Sequence, residues 1–294
     1  MQVRFWGVRG SIASPGADTA LVGGNTSCVE VRCGDRRVVL DAGTGLRQLG
    51  DSMLRERAPL RTTVLLSHYH WDHIQGLPFF VPLYVPGTEL EVIGPAQSEQ
   101  AVRGALVHQM QAPVFPVRLD EVAARVATRE VRAGDVLELD DVVVRVARGN
   151  HPGGVCGYRV EHAGASVVYL TDNEHYACTD PKLVAFAAGA DLLVYDAQYT
   201  PEEYAAKVGW GHSTYVAGAA LAAEAGVGAF ALFHHDPSRT DGAVAQIEAL
   251  AQEHFARSFA AREGLELDLA RSPDSLCDRA TRRSSARLFV DEGA

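Results

Sequence analysis

Residues 67–73 read Ser-His-Tyr-His-Trp-Asp-His, which puts His68, His70, Asp72 and His73 within six positions. Imidazole nitrogen and carboxylate oxygen are the donors that zinc and similar borderline divalent cations accept. The run follows residues 63–66, Thr-Val-Leu-Leu, which have the character of a strand. In an extended segment alternate side chains share a face, so His68 and His70 point the same way. A turn after them would aim Asp72 and His73 at a second position. One short loop would then supply half of a two-metal site. The plain alternative is a histidine-rich surface loop, but this ligand order at a strand end is improbable by chance.

Such a loop needs a sheet to hold it. Strand-like runs lie at 2–6, 27–33, 37–40, 63–66, 90–93, 142–147, 155–161, 166–170, 192–195 and 230–233. The early ones arrive close together, as in an antiparallel or mixed sheet. Helical spacing marks 44–54, 97–109, 213–225 and 241–262. In the last, Val244, Ile247, Ala251, Phe255 and Phe259 fall on one face. Ser213 or Thr214 stands where the N-cap of the third belongs. Strands, flanking helices and strands again predict a layered α/β (α+β) arrangement.

The 294 residues are 47% hydrophobic and 22% charged, which is ordinary globular composition. They suit one large domain or two closely packed halves. We read 1–267 as the body and 268–294 as a polar tail carrying Arg279, Arg282, Arg283 and Arg287. With 27 Lys and Arg against 37 Asp and Glu, the net charge is −10. That balance argues against non-specific nucleic-acid binding, which needs clustered cations, and leaves a small anionic substrate open. No run approaches the roughly 18–20 apolar residues that span a bilayer, so no membrane partner is expected. The first residues read as a strand rather than a signal peptide. Cys28, Cys33, Cys156, Cys178 and Cys277 are scattered, with no Cys-x-x-Cys pair. Free thiols in a reducing cytoplasm are the expectation.

The 67–73 run resembles the His-x-His-x-Asp-His signature of the metallo-β-lactamase fold hydrolases. Further pieces stand in family order: Asp41-Ala-Gly-Thr-Gly, Asn150-His151-Pro-Gly, Tyr169-Leu-Thr-Asp172 and Leu232-Phe-His234-His235-Asp-Pro. The resemblance spans roughly residues 1–265. It implies a four-layer αββα sandwich with the site at one edge. It also implies that His68, His70 and His151 hold one metal, that Asp72, His73 and His234 hold another, and that Asp172 bridges them. Two divalent ions follow, zinc by default, with manganese and iron as alternatives. His234 is preferred to the adjacent His235 because Leu-Phe-His…Pro matches the related Leu-Thr-His…Pro pattern. Asp41 is read as structural. Tyr69 and Trp71 are read as packing the loop, and Glu174 and His175 as capping a helix or facing solvent.

Two segments resemble the tRNA 3′-processing endonucleases within that family. Leu193-Val-Tyr-Asp196-Ala-Gln-Tyr-Thr is similar to their His-Glu-Ala-Thr-Phe stretch, with Asp196 at the glutamate and Tyr195 at the histidine. Gly209-Trp-Gly-His212-Ser-Thr is similar to their His-Ser-Thr motif. The resemblance puts His212 at the scissile phosphate, oriented by Asp196. The long Gly/Pro-rich arm of those enzymes has no counterpart, and the opening 5–11 and 23–27 segments resemble a bacterial cyclic-phosphodiesterase-like branch. Arg9 there is as readily structural as phosphate-binding. The resulting expectation is a dinuclear phosphodiesterase in which a metal-bridging hydroxide attacks small cyclic or linear phosphodiesters. Asp72, His212 and Asp196 would form its catalytic set. A lactonase or thioesterase on the same fold is the alternative, and so is a non-catalytic metal-binding regulatory protein. A diiron redox protein fits less well, because His70 stands where those variants carry Glu. For self-association, a homodimer is the default.

Overall fold

The computed structural model describes residues 1–56, 60–97, 101–270 and 276–277. The first sheet takes β1 (Gln2–Gly7), β2 (Cys28–Cys33), β3 (Arg36–Leu40), β4 (Arg61–Leu65), β5 (Glu89–Pro95) and β6 (Arg125–Val131). The second takes β7 (Val136–Leu139), β8 (Val142–Gly149), β9 (Val155–His162), β10 (Ala165–Leu170), β11 (Leu192–Asp196), β12 (Ala229–Phe233) and β13 (Ser258–Ala260). The chain then returns to the first sheet, where β14 (Glu266–Asp268) pairs antiparallel with β1. Both sheets are mixed: β3 to β6 run parallel in one, and β10 to β13 run parallel in the other.

Adjacent residues on a strand face opposite ways, and here each face meets a different apolar layer. Val38 and Val167 join the cluster between the sheets, with Phe5, Val144, Val194 and Phe233. Their neighbours Val39 and Val168 point outward, to helices. The first sheet is covered by α1 (Gly45–Glu56), which buries Leu46, Leu49 and Met53, beside the short α2 (Trp71–Ile74) and α3 (Ala101–Gln109). The second carries α4 (Pro181–Ala187), the single turn α5 (Pro201–Tyr204), α6 (Tyr215–Ala225) and α7 (Asp241–His254). Leu183, Leu221, Ala222, Ile247 and Ala251 pack there against Leu193, Phe230 and Leu232. The order helix, sheet, sheet, helix is the expected four-layer sandwich.

Three local expectations change. The helix read over 241–262 stops at His254, because Phe255 is extended and Phe259 belongs to β13. Its apparent helical spacing joins two elements that share only apolarity. The helix at 213–225 starts at Tyr215, since the Thr214 hydroxyl accepts from Ala217 N at 3.2 Å and so serves as the N-cap. Strands β6 and β7 alternate charged and apolar residues at a sheet edge, too weak an apolar signal to stand out. Residue 268 lies within β14, and Leu276 is buried in the inter-sheet cluster. Residues 271–275 and 278–294, with Arg279, Arg282, Arg283 and Arg287, lie outside the described residues. Among the described residues no helix is long and apolar enough to cross a membrane.

One buried ionic cluster stiffens the first sheet. Glu30 accepts from Trp6 Nε1 at 2.9 Å, Arg37 Nε at 2.7 Å and Arg32 Nε at 2.8 Å. Burial alone would raise its pKa, but the two arginines outweigh that and hold it below the ordinary value of 4.5. The stability it contributes is therefore present above about pH 4.5 and is lost as pH falls through its lower folded value. Glu30→Gln is expected to cost about 1.5 kcal/mol at pH 7, because Arg32 and Arg37 lose one buried partner but keep Glu56. Urea titrations at pH 7 and pH 3.5 should show a smaller drop on acidification for the variant than for wild type. Parallel losses in the two proteins would refute the assignment.

Candidate metal centre

Strands running the same way end at the same edge of a sheet, and loops leaving that edge carry the chemistry. Asp41 follows β3, Ser67 and His68 follow β4, Asp172 follows β10, and His234 follows β12. Asp41, Asp172 and His234 have φ of 63°, 49° and 60°, in the left-handed region. Asp and His tolerate this conformation better than most residues. It turns each chain sharply off its strand, where an apolar β-branched side chain would be strained. His151 leaves the same edge from β8, and the two sheets meet there: Tyr169 Oη donates to Asp41 Oδ2 at 2.7 Å.

The predicted donors come together in two sets. His68, His70 and His151 form one, and Asp72, His73, Asp172 and His234 the other. Asp172 stands between them. Its Oδ1 lies 3.9 Å from His68 Nε2 and 3.8 Å from His151 Nε2. Its Oδ2 lies 3.2 Å from His73 Nε2 and 3.3 Å from His234 Nε2. Asp72 Oδ2 reaches only the second set, 3.1 Å from His73 and 3.2 Å from His234. Buried polar atoms are normally partnered. Yet Nε2 of His68 and of His73 is buried with no hydrogen bond, although carboxylate oxygens are close to both. Two buried nitrogens that face carboxylate oxygens without bonding them fit a cation between them, although His234 Nε2 does reach Asp72 Oδ2 at 3.2 Å. Burial alone would raise the pKa values of Asp72 and Asp172, but the facing histidines hold both well below the usual carboxylate range. Both carboxylates are thus held in the charged form that a divalent metal takes.

Four of the five candidate ligand imidazoles, those of His68, His73, His151 and His234, are aimed through their other nitrogen. Asp41 Oδ2 lies 2.7 Å from His73 Nδ1, and the same carboxylate accepts from Ser67 N at 2.6 Å and Ser67 Oγ at 2.8 Å. Ser67 Oγ is 3.0 Å from His68 Nδ1. His151 Nδ1 bonds Gly211 O at 2.8 Å, and His234 Nδ1 bonds Gln198 Oε1 at 2.9 Å. Ser11 N donates to Asp72 Oδ2 at 2.8 Å. Gln198, Gly211 and Ser11 escape sequence reading because their contribution is a position rather than a residue type.

His212 and Asp196 also meet as predicted. His212 Nδ1 lies 2.8 Å from Asp196 Oδ2, while Asp196 Oδ1 accepts from Gln198 N and Ser213 N at 3.0 and 3.2 Å. Burial alone would lower the His212 pKa, but Asp196 outweighs it and pushes the group up to about 9. The imidazolium lines a cavity of about 510 Å³ with His70, Trp71, Asp72 and Asp172. A positive group held beside the candidate metal ligands would be placed to stabilise an anionic reacting centre.

Several neighbours differ from their sequence reading. Glu174 neither caps a helix nor faces solvent. It is fully buried and accepts from Gly209 N at 2.6 Å, Gly211 N at 2.9 Å and Tyr204 Oη at 2.8 Å. His235 points away from the cluster and bonds Ala261 O at 3.0 Å; burial, with Arg9 nearby, pushes its pKa down to about 3. Arg9 is structural: it is buried and donates to the carbonyls of Gly23, Asp236 and Arg239. Tyr69 packs the loop and donates to Pro95 O at 2.6 Å, but Trp71 beside it is 77% exposed.

Residues 36–235 match the family model described as the beta-lactamase superfamily domain. The chain is 33% identical over 261 residues to a ribonuclease Z of Mycobacterium avium (strain 104), which spans 82% of this chain and 89% of that one. Among solved structures, the metallo-beta-lactamase fold protein YhfI of Bacillus subtilis matches with a TM-score of 0.68 at 19% identity, covering 90% of this chain and 98% of that one. Human tRNase Z, short form, matches with a TM-score of 0.65 at 18% identity, covering 92% and 99%. The chain belongs to the metallo-β-lactamase superfamily. It is a hydrolase of that superfamily, and its His/Asp clusters are suited to divalent metal.

The expected partner requires correction. A net charge of −10 argued against non-specific nucleic-acid binding, and with the missing arm it led to the expectation of a small phosphodiester. Relatives named ribonuclease Z overturn that. Net charge sums the whole surface, whereas a polyanion meets only the part it touches. Here Arg132 and Arg148 line a cavity of about 400 Å³ with Gly153 and Gly154, close in sequence to His151.

Proposed function

We propose that the chain is a dinuclear metal phosphodiesterase that cleaves RNA. The observation that carries this is Asp172, one buried carboxylate whose two oxygens address two separate donor sets. His68, His70 and His151 would hold one ion and Asp72, His73 and His234 the other, with Asp172 shared. Zinc suits so imidazole-rich a set, and when bound such ions supply Lewis acidity and a water that ionises near neutral pH. The chain's own groups do the rest. Asp41, Gln198 and the Gly211 carbonyl hold the ligand rings in place. Asp196 fixes Nδ1 of His212, which leaves Nε2 of the imidazolium to meet a phosphoryl oxygen or to protonate the departing alkoxide. A cation in that position serves a phosphodiester better than a neutral ester, which favours phosphate over carbonyl substrates. Arg132 and Arg148 offer charge for the flanking backbone. Cys28, Cys33, Cys156 and Cys178, all free thiols, support a reducing, cytoplasmic setting.

The test is incubation of zinc-loaded protein with a structured RNA carrying a single-stranded 3′ extension, with Asp172→Ala as the blank. Mass spectrometry of the fragments reads which P–O bond breaks, and metal analysis should find about two ions per chain. Intact RNA at full metal loading would overturn the proposal.

A further inference from the structure

The three tryptophans are treated very differently by the fold. Trp6 is buried and donates Nε1 to Glu30. Trp71 and Trp210 are 77% and 63% exposed. An indole is among the costliest side chains to leave in water, and a cluster of exposed apolar groups beside a polar cleft marks a binding surface. Both tryptophans stand in sequence beside residues of the candidate centre. Trp71 stands between His70 and Asp72 and lines the cavity. Trp210 immediately precedes Gly211 and His212, on the loop whose carbonyl orients His151. The His151 ring lies 4.9 Å from that of His70 and 5.2 Å from that of His212. Trp71 thus lines the cavity itself, and Trp210 stands two residues before His212, which lines it too.

The backbones beneath them are held. Glu174 grips the amides on either side of Trp210, at Gly209 and Gly211, and both glycines have φ near 90° (90° and 88°). A Cβ at Gly211 would lie 2.2 Å from His151 Nδ1, so this turn is pressed against the ligand ring. Trp210 N also donates to Lys207 O at 3.1 Å. Trp71 is the first residue of α2, between two ligand positions. Two exposed indoles on anchored backbone, beside the cavity that His70, Asp172 and His212 line, suit a ligand that joins a flat aromatic ring to a phosphate.

We propose that Trp71 and Trp210 are the stacking surfaces that receive the nucleobase next to the scissile phosphate, and so set the preference for nucleotide over base-free phosphodiesters. This rests on the RNA reading above and names what that site grips. Stacking on an aromatic side chain tolerates any base and is strong enough that losing one indole weakens binding at least about fivefold.

The test uses zinc-loaded protein with two probes, adenosine 5′-monophosphate and ribose 5-phosphate. Adenosine 5′-monophosphate should quench the red-edge emission of the exposed tryptophans, and ribose 5-phosphate should not. Trp71→Leu and Trp210→Leu should each raise the Kd for the nucleotide at least about fivefold while leaving zinc content and the Kd for ribose 5-phosphate within about twofold. Trp71→Phe should recover most of the affinity. Equal loss for both probes, or no loss for either, would overturn the proposal. Base-dependent binding in a protein that cleaves no RNA would uphold the tryptophan role and sink the ribonuclease reading instead. RNA cleavage that both leucine variants leave unchanged in KM would do the reverse.

Discussion

Asp172→Ala is expected to lower turnover by more than about 10³-fold and to reduce the metal that the protein retains. Each oxygen of Asp172 faces a different donor set, at 3.8–3.9 Å on one side and 3.2–3.3 Å on the other. Removing the carboxylate takes a ligand and a negative charge from both positions at once. Asp72→Ala provides the contrast, since Asp72 approaches only His73 and His234. It should empty one position and leave the other loaded. Metal analysis after gel filtration, read beside turnover, separates the two variants. An Asp172→Ala protein that keeps two ions and a tenth of the rate would remove Asp172 from the bridging position.

His212→Ala is expected to lower kcat by about 10²–10³-fold with unchanged metal content. The ring nitrogen that faces Asp172, at 3.8 Å, is Nδ1, and it is already committed to Asp196 at 2.8 Å. That commitment distinguishes His212 from the ligand histidines, although His212, Asp172, Asp196 and His234 could by proximity form a donor set of their own. Asp196→Asn keeps the shape but gives up the charge, and a loss of about 10–100-fold is expected. The double variant should be hardly worse than His212→Ala, because the two side chains act as one unit. Loss of a metal ion from His212→Ala would make it a ligand, and additive losses would break the proposed pairing.

The short-range part of this centre was open to sequence reading. His68, His70, Asp72 and His73 lie on one strand end and one turn, so backbone geometry alone brings them together. His151, Asp172 and His234 were reachable only through the order of motifs along the chain. Their spacings carry no information until parallel strands align their ends at one edge. The choice between His234 and His235 shows the limit of pattern matching. At a left-handed residue, one step along the chain swings a side chain from the cluster to the opposite side, and the structure sends His235 to Ala261.

The residue types of this chain determined the donors, the strand and helix faces, and therefore the four-layer class, because valence, side-chain alternation and apolar periodicity are local properties. Tertiary packing decided which group orients each ligand. Asp41 is one residue in a glycine-rich turn until Ser67 and His73 of one loop and Tyr169 of β10 converge on it. Glu174 is one more acidic residue until the amides of a loop 35 and 37 positions away reach it. Trp71 looks like loop packing until the fold leaves its indole in water above the cavity. Burial and exposure depend on every neighbour a side chain acquires, and most of those neighbours are distant in sequence. The chemistry could thus be read from the chain, while its orientation and the surface presented to substrate belong to the folded whole.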